Sequence, residues 1–460
     1  MSRFRRLRSV GAPTLAIAAV LALAACTPGA SSSPASNKAP SGRVVTDAAK
    51  LGKVQLSVLD YFTGGTDATW MKDVVAAFHK KYPNITVNRT SMSWGDVMQA
   101  LPLKLKSSNP PDIVPANNGW QSLGTLVQGH LVLNLDRYAK SYGWRSQVPT
   151  SIQREHEFSD DGKQMGTGSL FGMPVARSSM IEAYYNRALL HRIGATVPRT
   201  LGDFESDLAK AKAAGVTPIS LGNLEQVGIT GPLYSVMNAL GQQDKISDLI
   251  YSQNGVKITD PATGFPAAVA AVKGWADKGY FTKQFSSVAG QDAAQDFVDG
   301  KALFRFDYSG SLPLKPGQSK GFGSFVLPNQ HGGAPVATNS SATNFSVSEK
   351  SKHAAAAAAF LNFAASKQAA QMAVSTGTMP MLDPDVKAGN GDPLFSDDVS
   401  NAAEVSSKNA SVPYLDWATP TLLTTMQTKM QDLLAGKTST ADVVKAAQAD
   451  DATFQAKLAK

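Results

Sequence analysis

The chain has 460 residues, 43% of them hydrophobic, with 44 Lys and Arg against 36 Asp and Glu for a formal charge of +8. Residues 1–25 hold four arginines and no acid, so the remainder carries 40 basic against 36 acidic residues with no Lys/Arg block, which excludes a nucleic-acid footprint. A single cysteine excludes an internal disulfide framework, and the length exceeds one ordinary core, so two domains are expected.

Arg3, Arg5, Arg6 and Arg8 form a basic n-region, and residues 14–25 form an apolar stretch too short to span a bilayer comfortably. Leu23-Ala24-Ala25-Cys26 reads as a lipobox, which predicts a lipoprotein signal peptide over 1–25 and lipidation of Cys26. A diacylglycerol thioether plus an N-acyl chain would supply the multiple chains that stable anchoring needs. Residues 26–50 are then a Ser/Pro/Ala-rich tether with too little apolar content to fold.

The run VQLSVL at 54–59 predicts a strand opening into the polar-aromatic loop of Asp60, Tyr61 and Thr63. Trp70, Val74 and Phe78 lie at i, i+4, i+8 and predict the buried face of a helix running from Asp67 and ending before Pro83. Residues 85–92 alternate as a second strand, 95–106 form a helix, and 111–115 form a brief strand feeding Asn117, Asn118 and Trp120. A further helix runs to His130, and the alternation implies a mostly parallel α/β lobe. His156, flanked by Glu155 and Glu157 and followed by the turn 159–162, is read as part of a solvated loop, and Trp144 as core.

Residues 181–204 read as a strand ending in YYN, a short helix over 188–193 closed by Gly194, and a second helix starting near Thr200. Asp203 occupies the acidic position of a capping-box pattern there. Next come a strand over 216–222, helices over 231–240 and 267–278 (Trp275 as core), a strand over 344–347 and an Ala-rich helix over 351–366. Leu422, Met426, Met430 and Leu433 mark an amphipathic helix over 419–434, and a last helix is capped at Ser439 or Thr440. No repeat of fixed period occurs.

YYNRALLHRIGATVPRTLGDF at 184–204 resembles a segment of the family 1 extracellular solute-binding proteins, the maltose-binding-protein-like, sugar-capturing subunits of ABC importers, with Leu201 where the family carries Trp. Further family landmarks resemble LNLDRY at 133–138, GSLFGMP at 168–174, VTPISLG at 216–222 and FVDGKALF at 297–304. DYSGS follows at 307–311, with Tyr308 in the place of the usual Trp, and TMP at 378–380 completes an ordered set spanning roughly residues 51–455. The resemblance implies an α/β, two-lobed, periplasmic-binding-protein-like (type II) fold with an interlobe ligand cleft and a hinge. It places the N-terminal lobe at 51–180 plus 336–378 and the C-terminal lobe at 181–335 plus 379–460, with crossovers near 174–182, 336–346 and 376–382.

No G-x-S-x-G elbow, phosphate-binding loop, dinucleotide fingerprint or H-E-x-x-H motif is present, and the six His are scattered. Asp383, Asp385 and Asp392 lack calcium-loop spacing and read as turn residues. No catalytic residue, metal or cofactor is therefore predicted. A pyranose offers an apolar C–H face and a rim of hydroxyls, so its site needs aromatic platforms beside short polar side chains, on loops beyond the carboxyl ends of strands.

The candidates on such loops are Asp60, Tyr61, Trp94, Asn117, Asn118, Trp120, Asn223, Glu225, Asp307, Tyr308 and Trp417, with Tyr414 and Asp416 nearby. The resemblance adds the first crossover, Arg177 to Glu182. The expected function is that of an extracytoplasmic, lipid-anchored monomer that captures a carbohydrate and delivers it to ABC permease subunits. The alternatives are the same fold binding a polyamine or phosphodiester, a secreted glycoside hydrolase, and an adhesion or signalling lipoprotein without a small ligand.

Overall fold

A computed structural model describes residues 37, 44–175, 179–315, 317–330, 334–340, 344–380 and 391–460. The signal segment, Cys26, most of the tether, Arg177, Asp383 and Asp385 lie outside the described residues.

In chain order the strands are β1 (Val54–Asp60), β2 (Ile85–Ser91), β3 (Ile113–Pro115), β4 (Glu157–Phe158), β5 (Ser169–Leu170) and β6 (Met173–Pro174). They continue as β7 (Ser179–Asn186), β8 (Thr217–Ile219), β9 (Ala302–Tyr308), β10 (Phe322–Phe325), β11 (Ala337–Ser340), β12 (Asn344–Val347) and β13 (Ser411–Val412). One sheet has the order β2-β1-β3-β12-β6 and the other β13-β11-β7-β9-β8, with β10 also on β7. β4 and β5 form a separate hairpin.

In the first sheet β1 pairs with β2 in parallel along its whole length, from Val54↔Ile85 to Asp60↔Ser91, and β3 joins in the same direction. β12 and β6 run antiparallel to their neighbours, so the sheet is mixed rather than mostly parallel. The antiparallel member arrives from the far end of the sequence, which no local pattern in residues 54–115 announces.

The helix Gly65–Lys81 buries Trp70, Met71, Val74 and Phe78, the stripe its spacing predicts. Trp70 Nε1 donates to the Ala369 carbonyl at 3.0 Å, which satisfies a polar group in an otherwise dry interface. Phe78 meets Phe360 and Phe363 with centroids 5.2 and 5.7 Å apart. The Ala-rich helix Ala354–Ala364 lets those rings approach because, Leu361 apart, its other buried positions are alanine.

The second sheet is organised on β7, which is buried along nearly all of its length. Helices cover both faces, and such strands read as continuous apolar or aromatic runs. Phe204, Phe304, Phe306 and Phe325 fill one face, with Phe204 centroids 4.8–6.4 Å from the others. Tyr184, Phe297 and Phe322 fill the other. The chain passes from the first sheet to the second between β6 and β7 and returns between β11 and β12. β11 therefore lies in the second sheet, although residues 336–378 are assigned from sequence to the N-terminal lobe.

Helix ends follow local chemistry. Thr200 Oγ1 accepts from Asp203 N at 3.0 Å, while Asp203 Oδ2 accepts from Arg199 N at 3.2 Å. Ser439, not Thr440, caps the last helix, with a reciprocal bond to Asp442. Asp392, read as a turn residue, caps the helix Pro393–Ser407 by accepting from Leu394 N and Phe395 N. Among the described residues no helix is long and apolar enough to cross a membrane.

The segment after β3 is tied to the turn 415–418. Trp120 N donates to the Trp417 carbonyl at 2.9 Å, and Gln121 Nε2 donates to Asp416 Oδ2 at 2.6 Å. Gly119 makes the approach possible: its φ is +71°, and a Cβ there would lie 2.2 Å from Trp417 Cβ. Gly119→Ala should therefore cost about 3 kcal/mol, as overpacking plus a left-handed non-glycine residue. Gly194 has φ +65° with nothing within 4 Å of the added atom. Gly194→Ala should cost only about 1 kcal/mol. Urea unfolding of the two variants measures the difference.

Candidate functional site

β8 and β9 run parallel, and open α/β sheets present ligand sites beyond the carboxyl ends of such strands. A cavity of about 430 Å³ lies there. The turn after β8, the starts of helices Thr230–Leu240 and Gly290–Val298, and the end of β9 line it.

The polar groups of this cavity are held in place before any ligand arrives. Arg305 and Asp307 sit two apart on β9, hence on one face, and Arg305 Nε donates to Asp307 Oδ2 at 2.7 Å. Asp307 Oδ1 also accepts from Tyr308 N at 2.9 Å. The carboxylate is thus fixed and its charge balanced, with lone pairs left over. Glu225 Oε2 accepts from Gly290 N at 3.1 Å and so sits at the start of the 290–298 helix.

Tyr308 is 44% exposed at the cavity rim. Burial of its hydroxyl end, with the charges of Asp416 and Asp307, raises its phenol well above the usual range. Its ring lies 6.5 Å from Tyr414, which in turn contacts Trp417 at 5.0 Å and Tyr234 at 6.1 Å. The Tyr234 hydroxyl donates to Asp416, whose carboxyl burial pushes up. On the first sheet Tyr61 and Trp94 meet edge to face at 4.7 Å, and Trp94 is exposed.

Of the residues singled out from sequence, Glu225, Asp307 and Tyr308 line this cavity together. Asp60 lies elsewhere and is fully buried: Arg89 Nε and Nη2, Ser91 Oγ and Phe62 N all donate to it, so it braces β1 against β2. Asn117 bonds Gln121, and Asn118 is buried with its amide donating to Glu155 at 3.0 Å. The Trp120 ring is enclosed between Phe158 and Phe454, at 5.2 and 5.0 Å, and is core in this structure. Asn223 is buried and shapes its own loop by accepting from Ile229 N at 3.0 Å. Glu182 is buried on β7 opposite Asp307, and Trp417 is buried under Tyr414.

Sequence reading missed Arg305, Ser220 and Gln291, which also line the cavity. An Arg-x-Asp alternation on one strand was the available signal for the first of these. Among the described residues, no group of three or more His, Cys, Asp or Glu could hold a metal.

The placement of His156 in a solvated loop is wrong. Glu155, His156 and Glu157 are all buried, because the short helix Thr150–Arg154 turns the chain inward and Arg145 pairs with Glu157. The His156 ring Nδ1 lies 3.0 Å from the Ile152 carbonyl, and burial pushes its pKa from 6.5 down to about 3. A group that stays neutral when folded stabilises fully above 6.5, and that contribution is lost as pH falls towards about 3. Acid unfolding should therefore be shallower in His156→Gln than in wild type over that window. Stability measured by denaturant midpoint at stepped pH checks it.

The family model described as bacterial extracellular solute-binding protein matches residues 63–371. The multiple sugar-binding protein of Streptococcus mutans is 24% identical over 345 residues, covering 71% of this chain and 75% of its own. A probable sugar-binding periplasmic protein of Mesorhizobium japonicum is 37% identical over 89 residues, 19% of each chain. A solved chitin oligosaccharide binding protein superposes with a TM-score of 0.70 at 18% identity, covering 88% of this chain and 100% of its own. The structure of SBP RafE in complex with raffinose superposes with a TM-score of 0.65, also at 18% identity and with coverage of 88% and 100%. These likenesses carry the two-lobed fold.

Proposed function

Since this chain belongs to the bacterial extracellular solute-binding protein family, which binds solutes rather than transforming them, we propose that it captures a carbohydrate between its lobes and delivers it to an ABC permease. The observation that carries the choice of ligand is the end of β9, where a charge-balanced carboxylate stands beside an exposed tyrosine ring at the mouth of a cavity. An aromatic face suits the C–H side of a pyranose, and a fixed acceptor suits its hydroxyls. The sugar-binding names of the relatives point the same way.

A polyamine would call for unpaired acids and a phosphodiester for a free guanidinium. Here Asp307 and Arg305 occupy each other, and Glu225 is engaged by Gly290 N, which favours a neutral, hydroxylated ligand. In this reading the lobe boundaries fall at the three passages between sheets, from β6 to β7, from β11 to β12 and from β12 to β13, and ligand shifts the protein to a closed form that the permease recognises. Lipidated Cys26 holds the monomer at the outer face of the membrane.

A thermal-shift screen of residues 27–460 against mono- and oligosaccharides tests the proposal. A ligand at about 100 times its Kd stabilises by about 2.7 kcal/mol, a rise of a degree or a few in Tm for a chain this long. One sugar class should raise the midpoint, and Asp307→Ala or Tyr308→Ala should weaken that sugar by about tenfold or more. A response confined to amines or phosphates would overturn the choice of ligand. Turnover of a chromogenic glycoside would overturn the binding-protein role.

A further inference from the structure

Beside the Tyr308 end of β9 lies a buried acidic cluster that does not line the cavity. Glu182 on β7 accepts from Ser309 Oγ at 2.6 Å and from Asn401 Nδ2 at 2.7 Å. Asp398, on the helix Pro393–Ser407, accepts from Gly310 N at 3.2 Å and from the Ser324 hydroxyl. The Tyr184 hydroxyl lies 3.2 Å from both the Tyr308 carbonyl and Asp398 Oδ2, and accepts from Gly310 N at 3.1 Å. Each residue of the 308–310 turn is thus tied to this cluster, Tyr308 by its carbonyl, Ser309 by its hydroxyl and Gly310 by its amide.

Glu182, Asp398 and Tyr184 are all essentially inaccessible to water. The charged groups facing them offer no spare cation. From the short helix Arg187–Arg192 that follows β7, Arg187 is engaged by Asp397 at 2.7 Å, and from β9, Arg305 is engaged by Asp307 at 2.7 Å. β10 contributes only the Ser324 hydroxyl, and the 393–407 helix adds Asp397 as a further negative charge.

We propose that Glu182 and Asp398 are positioning residues for ligand capture, holding the 308–310 turn and, through it, Asp307 and Tyr308 in the geometry that faces the cavity. This rests on the carbohydrate-binding reading for its functional consequence, although the hold on the turn does not. Two buried carboxyls without a cation are compatible only while one keeps its proton. Burial raises Glu182 well above its ordinary range and Asp398 from 3.8 to about 7. An acid shifted upward contributes fully below 3.8 and loses its contribution as pH rises through about 7. The turn, and with it ligand affinity, should therefore loosen on the alkaline side of neutrality.

Amide hydrogen exchange of the purified full chain, without ligand and corrected for the intrinsic pH dependence, reads the turn directly. Exchange at Ser309 and Gly310 should rise by about tenfold or more between about pH 5.5 and 8.5 in wild type and stay flat in Glu182→Gln and Asp398→Asn. Ser309→Ala alters no buried charge and should raise exchange at both pH values even if the carboxyl variants fold poorly. Raffinose affinity, followed in parallel, should fall over the same interval in wild type only. Exchange that is pH-independent in wild type, or that keeps its slope in both amide variants, overturns the proposal. The exchange arm needs no sugar: failure to bind raffinose with a pH-sensitive turn counts against the ligand alone, and raffinose binding with a flat turn against the cluster alone.

Discussion

The pairing of β7 with β9 is the constraint on which the rest of the second lobe depends. Five register pairs, from Ile181↔Tyr308 to Tyr185↔Phe304, set where Asp307, Tyr308 and the following turn emerge. Because directly opposed residues share a face, the same register brings Glu182 alongside Asp307 and Tyr184 alongside Arg305. A slip of one residue would send the aromatic set to the wrong face and turn the polar set into the core. The Phe204 cluster on one side and the Tyr184 cluster on the other make that slip costly.

β7 is also where the chain first enters this sheet, so the passage between sheets and the shape of the cavity share one strand. That explains the density of polar bonding at its start. Met180 accepts from Ser309 N at 2.8 Å, Glu182 holds Ser309 Oγ, and Asp398 closes over the turn from a helix 88 residues further along the chain. Buried polar networks of this kind are worth having only if their members find partners. Here most do, at the expense of a surplus of acid over base.

Elements set by near neighbours were legible in the sequence. Trp70, Val74 and Phe78 declared a helix face because one turn separates them, and Thr200 and Ser439 declared helix starts because capping bonds reach only three residues. The ordered landmarks around YYN carried the family, which the match over residues 63–371 shows. Loop residues were less legible. Trp120 lies just after β3 and Tyr308 ends β9, yet one ring is enclosed by Phe158 and Phe454 while the other stands at a cavity rim. His156 looked solvated among two glutamates, because nothing within a few residues of it records that Arg145 and the 150–154 helix draw the segment inward.

By itself, then, the sequence determined the alternation of strands and helices, the positions of most helix ends, the absence of recognisable catalytic motifs and the family. These depend on spacing and side-chain chemistry over a turn or a strand. Tertiary structure alone decided that β12 inserts antiparallel beside β3, that Asp60 braces two strands, and that Arg305 balances Asp307. It also decided that Glu182 and Asp398 converge on the turn that follows β9. The partners in most of those contacts are tens to hundreds of residues apart, and even Arg305 and Asp307 share a face only because β9 is held extended by its neighbours.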